Sequence, residues 1–258
     1  MKLRPINKKN FVVSSVQKYT FLNASFGEGT FGRVFHEVKN KRFVIKCATE
    51  DKYVDQLKHE FEILLKIPPH CNIVYCYGFH SMRVGIVLEY VDGPSLMDIV
   101  YNSPRPNDIE IVRLFLEIGS ALLHVHSHHI IHNDIKLENI LLTKRYVTKL
   151  CDFGLSKFTP NDENIGCIGG TPDYLSPQFL LGIPSSYERD TWAFVVMLYE
   201  IIYKRPPFTS NTHIIRCTYE PCIPSSFADG IFRQSFIVDF TKRLTLSELM
   251  LLLTKFHF

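Results

Sequence analysis

Two stretches of the sequence decide the fold: IHNDIKLEN, residues 131–139, and CDFG, residues 151–154. Upstream of them lies a glycine-rich run, GEGTFGRV, at residues 27–34. A dinucleotide-binding loop would open a helix after its third glycine, whereas here the sequence continues as a strand, so that interpretation is excluded. Glycines between two strands let the backbone approach a polyphosphate and point N–H groups at it, although an ordinary glycine-containing hairpin has the same pattern.

A lysine and a glutamate form the next feature outward from the two stretches. Lys46 closes the apolar strand FVIK, residues 43–46, and Glu60 lies on the helix that the following segment predicts. A buried lysine needs a partner for its charge if its ammonium group is to be held on phosphate oxygens. Glu60 is the natural candidate, and Glu62 is a rival on a different face of the same helix.

These motifs, in this order, resemble those of eukaryotic-type serine/threonine protein kinases. HNDIKLEN is similar to the catalytic loop of that family and DFG to its metal-binding loop, and the resemblance covers roughly residues 20–250. It implies an α+β fold with two lobes, a small β-rich N-lobe with one helix and a larger, mainly helical C-lobe. It also implies transfer of the ATP γ-phosphate to a protein substrate with Mg²⁺, or Mn²⁺ in its place.

The resemblance implies a role for each catalytic residue. Asp134 would accept the hydrogen bond of the substrate hydroxyl and orient it, and Lys136 would contact the transferring phosphoryl group. Lys46, fixed by Glu60, would hold the α- and β-phosphates. Placement and charge neutralisation, rather than covalent chemistry, would supply the rate.

The resemblance also implies a nucleotide and metal site. Asn139 and Asp152 would hold the metal. Leu88 would be the gatekeeper, and the backbones of Glu89 and Val91 would meet the adenine edge. The full set of implied nucleotide contacts is Phe26, Gly27, Glu28, Gly29, Thr30, Phe31, Gly32, Val34, Val44, Lys46, Leu88, Glu89, Val91, Ser95, Glu138 and Leu141.

Two further expectations come from the resemblance. Lys136 and Thr171 are typical of the serine/threonine branch of the family rather than the tyrosine branch. Asp190 would anchor a spine of stacked side chains, which are Leu64, Cys76, His132 and Phe153.

Hydrophobic periodicity predicts a β-rich half. Residues 19–48 alternate as two or three antiparallel strands with a turn at Lys39–Asn40. Residues 53–66 form an amphipathic helix through Val54, Leu57, Phe61 and Leu64, which Pro68–Pro69 ends. Two more strands follow, at residues 72–79 and 83–91.

The break Asp92-Gly93-Pro94 predicts the domain boundary, and the pattern beyond it is mostly helical. The predicted elements are helices at 108–127 after an Asn107 cap, at 190–203, and at 246–256 after a Thr245 or Ser247 cap, with a hairpin at 139–142 and 147–152 and a loop-like region at 153–185. We therefore expect an N-terminal extension at 1–18, an N-lobe at 19–91 and a C-lobe at 92–258.

The composition excludes several other classes. A chain that is 46% hydrophobic and 21% charged is not disordered. With 29 Lys and Arg against 26 Asp and Glu, the chain is only mildly basic, whereas nucleic-acid-binding proteins carry a strong positive charge. We therefore expect no direct contact with nucleic acid. The start lacks a secretory pattern, the longest apolar run is too short for a bilayer, and the seven cysteines follow no metal-binding spacing. We expect an intracellular protein without membrane contact.

Two departures from the family pattern concern regulation. Asn133 replaces the arginine that usually clamps a phosphorylated activation loop, and Cys167 stands at the usual phosphosite. We therefore predict activity without activation-loop phosphorylation. A homodimer through the N-lobe, using Phe11–Val16 or the Glu60 helix, would hold that helix in place; the alternative is that the helix packs well by itself. Since the sequence ends close after the last helix, we also expect no regulatory tail.

Other departures are conservative. Gln178 stands where the family has a glutamate, and a hydrogen bond to Arg243 would replace the usual buried ion pair. Val44 replaces the usual alanine over the adenine, and Val195 replaces a glycine of the long helix. None of them removes a catalytic group, so an active kinase is favoured over the alternative, a pseudokinase acting as a nucleotide-binding scaffold.

The motif HNDIKLEN and the short length of the chain resemble those of the kinases encoded by baculoviruses. That likeness implies a viral protein acting late in infection, in the host nucleus or cytoplasm, on a basic, arginine-rich DNA-binding protein. Glu138 and Glu200 match acidic positions that face a substrate arginine, whereas Ser95 stands where arginine-directed relatives often carry a second glutamate.

Overall fold

The structure is a computed structural model of the 258-residue chain. It describes residues 19–22, 27–28, 32–38, 42–159, 169–183, 187–220 and 227–256, with the backbone alone at 27–28. The described residues form two compact units. The first runs up to Pro69 and resumes at Val74–Val91; the second contains His70–Ile73 and continues from Asp92. The predicted extension at 1–18 and the predicted turn at Lys39–Asn40 lie outside the described residues.

The first unit contains one antiparallel sheet. Its strands are β1 (Gly27–Glu28), β2 (Gly32–His36), β3 (Phe43–Ala48), β4 (Cys76–His80) and β5 (Gly85–Glu89), in the order β1-β2-β3-β5-β4. The register places Lys46 opposite Val34 on one side and opposite Ile86 on the other. Phe21, Ile45 and Val87 form a buried apolar cluster on the sheet.

One helix, α1 (Val54–Lys66), accompanies this sheet and confirms the predicted amphipathic segment. Its buried face differs slightly from the predicted one, because Glu60 and Ile63 are buried while Phe61 is half-buried against the ring of Phe79, 5.4 Å away. The helix ends at Ile67, which adopts an extended conformation (φ −86°, ψ 116°). A residue that precedes proline is driven out of the helical region by steric conflict with the proline ring.

The segment before β4 differs from the prediction of a strand over 72–79. Strand β4 begins only at Cys76, and His70–Ile73 belongs to the second unit. There the N–H of Leu150 donates to the carbonyl of Asn72 at 2.8 Å, and Ile73 forms a bridge with Leu150. The apolar residues of this segment are therefore buried against a different unit from the strand that follows them.

The second unit is mainly helical, which gives the α+β architecture expected from the sequence. Its helices are α2 (Leu96–Asn102), α3 (Asp108–Ser127), α4 (Pro177–Leu180), α5 (Glu188–Tyr203), α6 (Asn211–Arg216), α7 (Asp229–Ser235) and α8 (Leu246–Thr254). Two short antiparallel pairs complete it: β6 (Ile130–Ile131) with β9 (Lys157–Phe158), and β7 (Ile140–Leu142) with β8 (Thr148–Leu150). Nowhere in the ranges just given does a helix have the length and apolarity needed to cross a membrane.

The long helices confirm the sequence predictions closely. Helix α3 has the predicted bounds, and the side chains of Asn107 and Glu110 cap it reciprocally. Helix α5 begins at Glu188, two residues earlier than predicted, and is buried almost all round. Helix α8 ends at Thr254 instead of Phe256, and its cap is Thr245 rather than Ser247. The short helices α2, α4, α6 and α7 were not predicted.

Candidate active site

The loop that carries Asp134 is anchored by one buried carboxylate. Asp190 on α5 is 1% exposed and accepts the backbone N–H groups of His132 and Asn133, each at 2.8 Å. Nε2 of His126, on α3, lies 2.9 Å from the same carboxylate. Burial raises the pKa of Asp190, but the hydrogen bond and charge of His126, with the interactions of His132, outweigh burial and hold it below its ordinary value. The backbone of the catalytic loop is therefore anchored by an ionised carboxylate in the core.

Three side chains orient the carboxylate of Asp134. Thr171 Oγ1 donates to Oδ1 at 3.0 Å, and Asn139 Nδ2 donates to Oδ2 at 2.9 Å. Lys136 Nζ lies 3.1 Å from Oδ2 and also donates to Thr171 Oγ1 at 2.9 Å. The two charged side chains remain partly accessible, at 11% for Asp134 and 21% for Lys136. The result is a fixed carboxylate next to a fixed ammonium group, both within reach of a substrate.

Asn139 and Asp152 are the predicted metal ligands, and the second unit holds both. Nδ2 of Asn139 also donates to the Asp134 carbonyl at 2.7 Å, so both of its known hydrogen bonds go to Asp134. The amide oxygen Oδ1 is therefore the atom that would coordinate a cation. Asp152 adopts a left-handed backbone (φ 59°), and its Oδ1 accepts the Gly154 N–H at 3.2 Å.

An amide oxygen and a carboxylate are ligands that suit Mg²⁺, which keeps several waters and binds through few protein groups. The described residues contain no cluster of three or more His, Cys, Asp or Glu side chains able to hold a metal by themselves. Asn139 and Asp152 would supply two oxygen ligands to such an ion.

The first unit pairs Lys46 with Glu60. Lys46 Nζ donates to both carboxylate oxygens, at 2.8 and 3.0 Å, and both residues are buried. Glu62, the rival partner, is exposed. Gly32 lies against this lysine: a Cβ atom there would be 3.0 Å from Lys46 Cγ and from the Cys47 carbonyl oxygen, so a larger residue would displace the lysine by a few tenths of an ångström.

The other predicted nucleotide contacts of the first unit lie on the sheet or outside the described residues. Val44 is buried and pairs with Leu88, while Gly27 and Glu28 pair through their backbones with β2. The Glu89 N–H donates to the Tyr75 carbonyl, and the Glu89 carboxylate accepts from the Tyr75 N–H. The backbone carbonyl of Glu89 is therefore the group that would contact adenine. Val91 is buried. Phe26, Gly29, Thr30 and Phe31 lie outside the described residues.

Three predicted nucleotide contacts belong to the second unit. Ser95 and Leu141 form an isolated bridge, so their backbones lie side by side. The Ser95 hydroxyl is committed to capping α2, where it accepts the Asp98 N–H at 3.1 Å and donates to the Asp98 carboxylate at 2.6 Å. Glu138 is exposed in the short turn before β7.

A buried carboxylate with two tyrosine partners lies near the catalytic loop in the second unit, where the hydroxyl of Tyr174 also accepts from the Leu137 N–H at 3.5 Å. Glu200, which is 8% exposed, accepts hydrogen bonds from the hydroxyls of Tyr101 and Tyr174. Burial raises the pKa of Glu200, although the two hydroxyls oppose that rise, and the charges of Glu138 and Asp173 raise it further. The surroundings of Glu200 thus carry the negative charges of Glu138 and Asp173.

The departures Asn133 and Gln178 both make local contacts. Asn133 is left-handed (φ 64°), and its Nδ2 donates to the Leu155 carbonyl at 3.1 Å. Gln178 Oε1 accepts from Arg243 at 2.9 Å, which confirms the predicted hydrogen bond. Of the predicted spine, the ring of His132 meets that of Phe153 edge-on, with centroids 4.8 Å apart; Leu64 and Cys76 belong to the first unit.

The sequence analysis missed two residues of this site. The His126 ring forms a hydrogen bond with the Asp190 carboxylate, and the Tyr101 hydroxyl donates to the Glu200 carboxylate. Both contacts join residues far apart in the chain, and a histidine on an apolar helix or a tyrosine on a short helix gives no local signal of its partner.

Comparison with known proteins places these residues in context. Residues 21–250 match the family model described as protein kinase domain. The chain is 31% identical to NUAK family SNF1-like kinase 2 of Rattus norvegicus, over 96% of this chain and 42% of the relative. It is 32% identical to an Aurora kinase of Candida glabrata, over 86% and 66%. It is 35% identical to a probable cAMP-dependent protein kinase catalytic subunit of Encephalitozoon cuniculi, over 76% and 64%. The chain thus spans less than half of the NUAK-type relative's length.

Proposed function

The chain belongs to the protein kinase family, and we propose that it is an active enzyme, transferring the γ-phosphoryl group of ATP to a serine or threonine hydroxyl of a protein. The observation that carries this proposal is the arrangement around Asp134. Thr171, Asn139 and Lys136 hold its carboxylate in one orientation, with Lys136 next to it. That arrangement suits a group that must align a hydroxyl for in-line attack.

The chemistry divides among the chain's own residues. Asp134 accepts the hydrogen bond of the incoming hydroxyl and takes up its proton, while Lys136 supplies positive charge beside it. Lys46, held by both carboxylate oxygens of Glu60, is placed to bind phosphate oxygens. Asn139 and Asp152 would hold Mg²⁺, or Mn²⁺ in its place, and the bound ion neutralises phosphate charge. None of the groups that a scaffold of this fold would lose is missing, which favours an enzyme over a nucleotide-binding scaffold: Lys46, Asp134, Asn139 and Asp152 are all present.

Phosphoryl transfer from labelled ATP to a basic protein tests the activity. We expect transfer with Mg²⁺, none with a chelator, and a loss of about 10²–10⁴-fold in Asp134→Asn, because the hydroxyl loses its orienting acceptor. Asp108→Asn, the same change at an exposed position of α3, should keep full activity. Transfer that persists in Asp134→Asn would refute the catalytic assignment.

The proposal extends to regulation: the kinase needs no activation-loop phosphorylation. Asn133 is neutral and already ties the catalytic loop to Leu155 through its amide. Cys167, at the usual phosphosite, lies outside the described residues and cannot accept a phosphate ester. Phosphatase treatment, followed by mass spectrometry to verify the loss of phosphate, should leave the rate unchanged. A rate that falls with the phosphate content contradicts this part of the proposal.

The substrate that this site favours is basic. Glu200 is a buried carboxylate whose surroundings include the negative charges of Glu138 and Asp173. A substrate guanidinium would pair with Glu200 in a charge-assisted hydrogen bond. Peptides with arginine near the phosphorylated residue should have lower KM values than leucine-substituted peptides, and the difference should shrink as salt is raised. Equal KM values for the two peptides would remove this preference.

A homodimer and a viral origin complete the proposal. The dimer would form through the N-lobe, with Phe11–Val16, outside the described residues, or α1 at the contact. Sedimentation velocity tests the dimer, and a fully active monomer contradicts it.

The viral origin depends on the resemblance of HNDIKLEN to the baculovirus-encoded protein kinase 1, and it implies action in the host nucleus or cytoplasm late in infection. A transcript that accumulates before viral DNA replication contradicts that timing.

A further inference from the structure

A cavity lies within the helical unit, separate from the side chains that contact Asp134. It has a volume of about 510 Å³ and is bordered by α3, α5 and the segment leading into α8. Its apolar walls come from Leu123, Val195, Leu244 and Leu246. Ligand pockets in proteins typically have volumes of ~300–1,000 Å³, mostly apolar walls and a few convergent polar groups. The size and the walls of this cavity therefore fit a small organic ligand.

Two hydrogen-bond donors at this cavity have no partner among the described residues. Trp192 and Ser235 both line it, and both side chains are almost fully buried. The indole Nε1 of Trp192 and the hydroxyl of Ser235 make no hydrogen bond to any residue that the structure describes. Buried polar groups in folded proteins are almost always hydrogen-bonded, because a buried donor without an acceptor destabilises the fold. The two donors therefore call for an acceptor that the described residues do not supply.

A positive charge lies at the same place. Arg243 lines the cavity, and its guanidinium stacks over the Trp192 ring, 4.6 Å from the centroid. Its hydrogen bonds go to neutral groups: the Ile237 carbonyl, the Gln178 amide and the Cys217 sulfur. It has no ion pair within the described part of the chain. Glu188, also at the cavity, is exposed to solvent, so its repulsion of an anion is screened.

We propose that this cavity binds an amphipathic carboxylate, an apolar body with one acidic head. The apolar body occupies the space between Leu123, Val195 and Leu246. The carboxylate accepts from Trp192, Ser235 and Arg243, and it supplies the negative charge that glutamine at position 178 leaves out. Carboxylates bind guanidinium groups strongly because both geometry and charge match.

The single tryptophan of the chain makes binding directly observable. Decanoate added to the full-length protein should shift the one indole N–H signal and the tryptophan fluorescence in a saturable way. Decanol, with the same chain and no charge, should bind at least tenfold more weakly. No saturable shift up to millimolar decanoate would overturn the proposal, and so would equal affinities for the acid and the alcohol.

Gln178→Glu tests the role of Arg243 without removing a group from the cavity. The new carboxylate pairs with Arg243 internally, so the affinity for decanoate should fall about tenfold while that for decanol stays the same. Gln234→Glu, the same change at an exposed position of α7, is the matched control and should bind as the parent does. Unchanged decanoate affinity in Gln178→Glu contradicts the proposal.

Ser235→Ala provides an independent variant that removes one of the orphaned donors. It should weaken decanoate binding several-fold and decanol binding not at all; equal effects on both ligands contradict the assignment of the carboxylate to this end of the cavity. None of these measurements uses phosphoryl transfer, so they stand or fall separately from the kinase activity.

Discussion

Asp190 shows how a single residue sets the geometry of the catalytic loop. Its carboxylate accepts two consecutive backbone N–H groups, of His132 and Asn133, and is supported from α3 by His126. Hydrogen bonds to a buried charge are worth more than those between neutral groups, about 1.5–3 kcal/mol each. The position of Asp134 in the loop therefore depends on a residue that is buried in the core.

Asp190→Asn should lower the free energy of unfolding by roughly 2–4 kcal/mol at neutral pH. The pKa of Asp190 in the folded protein lies below its ordinary value of 3.8, so its ionised form stabilises the fold above that pH. This stabilisation is lost as the pH falls through the lower, folded-state pKa. Urea unfolding of both proteins from neutral to acidic pH should show the difference shrinking below about pH 4. A difference that stays constant over this range contradicts the assignment.

Tyr101 is a second single residue with a testable consequence. Its hydroxyl occupies one oxygen of Glu200, while Tyr174 occupies the other. A substrate guanidinium must displace the Tyr101 hydroxyl, so Tyr101→Phe should lower the KM of an arginine-containing peptide by about 3–10-fold. The KM of the leucine-substituted peptide should not change. Tyr146→Phe, at an exposed position, serves as the control; a parallel change in both peptides would show that Tyr101 acts on something other than Glu200.

At the scale of elements, the start of α3 is fixed by two capping side chains that can be recognised in the sequence. Asn107 accepts the Glu110 N–H at 2.9 Å, and the Glu110 carboxylate accepts the Asn107 N–H at 2.9 Å. Asn107→Ala should lower the free energy of unfolding by about 1 kcal/mol, because it leaves a helical N–H without its acceptor. Asn107→Asp keeps the acceptor and should be nearly neutral. Thermal unfolding of the three proteins measures this, and equal losses in both variants would contradict a capping role.

The elements also show what could be predicted from the sequence. Helices α3, α5 and α8 are long and strongly periodic, and their predicted bounds agree to within two residues. Helices α2, α4, α6 and α7 have four to seven residues, too few to show a 3.6-residue period. At the site, the motifs located Asp134, Asn139 and the Lys46–Glu60 pair, because these residues are close in sequence or belong to a spaced pattern. The pairing of Tyr101 with Glu200 joins residues 99 apart and leaves no local trace.

At the scale of the whole molecule, the border between the two units does not follow the order of the chain. Ile73 and Val74 are neighbours with 4% and 5% exposure, yet Ile73 belongs to the second unit and Val74 to the first. The only tryptophan, Trp192, reports on the second unit. Adjacent substitutions of similar size therefore probe different units.

Ile73→Ala should lower the stability detected by Trp192 fluorescence by about 2–4 kcal/mol, because it empties a packed site beside Leu150. Val74→Ala should move the tryptophan-detected transition much less, although it destabilises the sheet of the first unit. Denaturant titrations with fluorescence as the probe compare the two. Equal shifts would mean that the units unfold as one.

The placement of His70–Ile73 also bears on how the chain is made. Asn72 donates through its side chain to the Thr148 carbonyl, 76 residues further on. At ~5–20 residues per second, a ribosome needs several seconds to deliver that partner. During this interval the nascent chain exposes Ile73 without its partner segment, whereas the next strand, β4, finds its sheet neighbour β5 only a few residues further on. Synthesis thus passes through a stage in which chaperone binding at this short stretch would protect the product from aggregation.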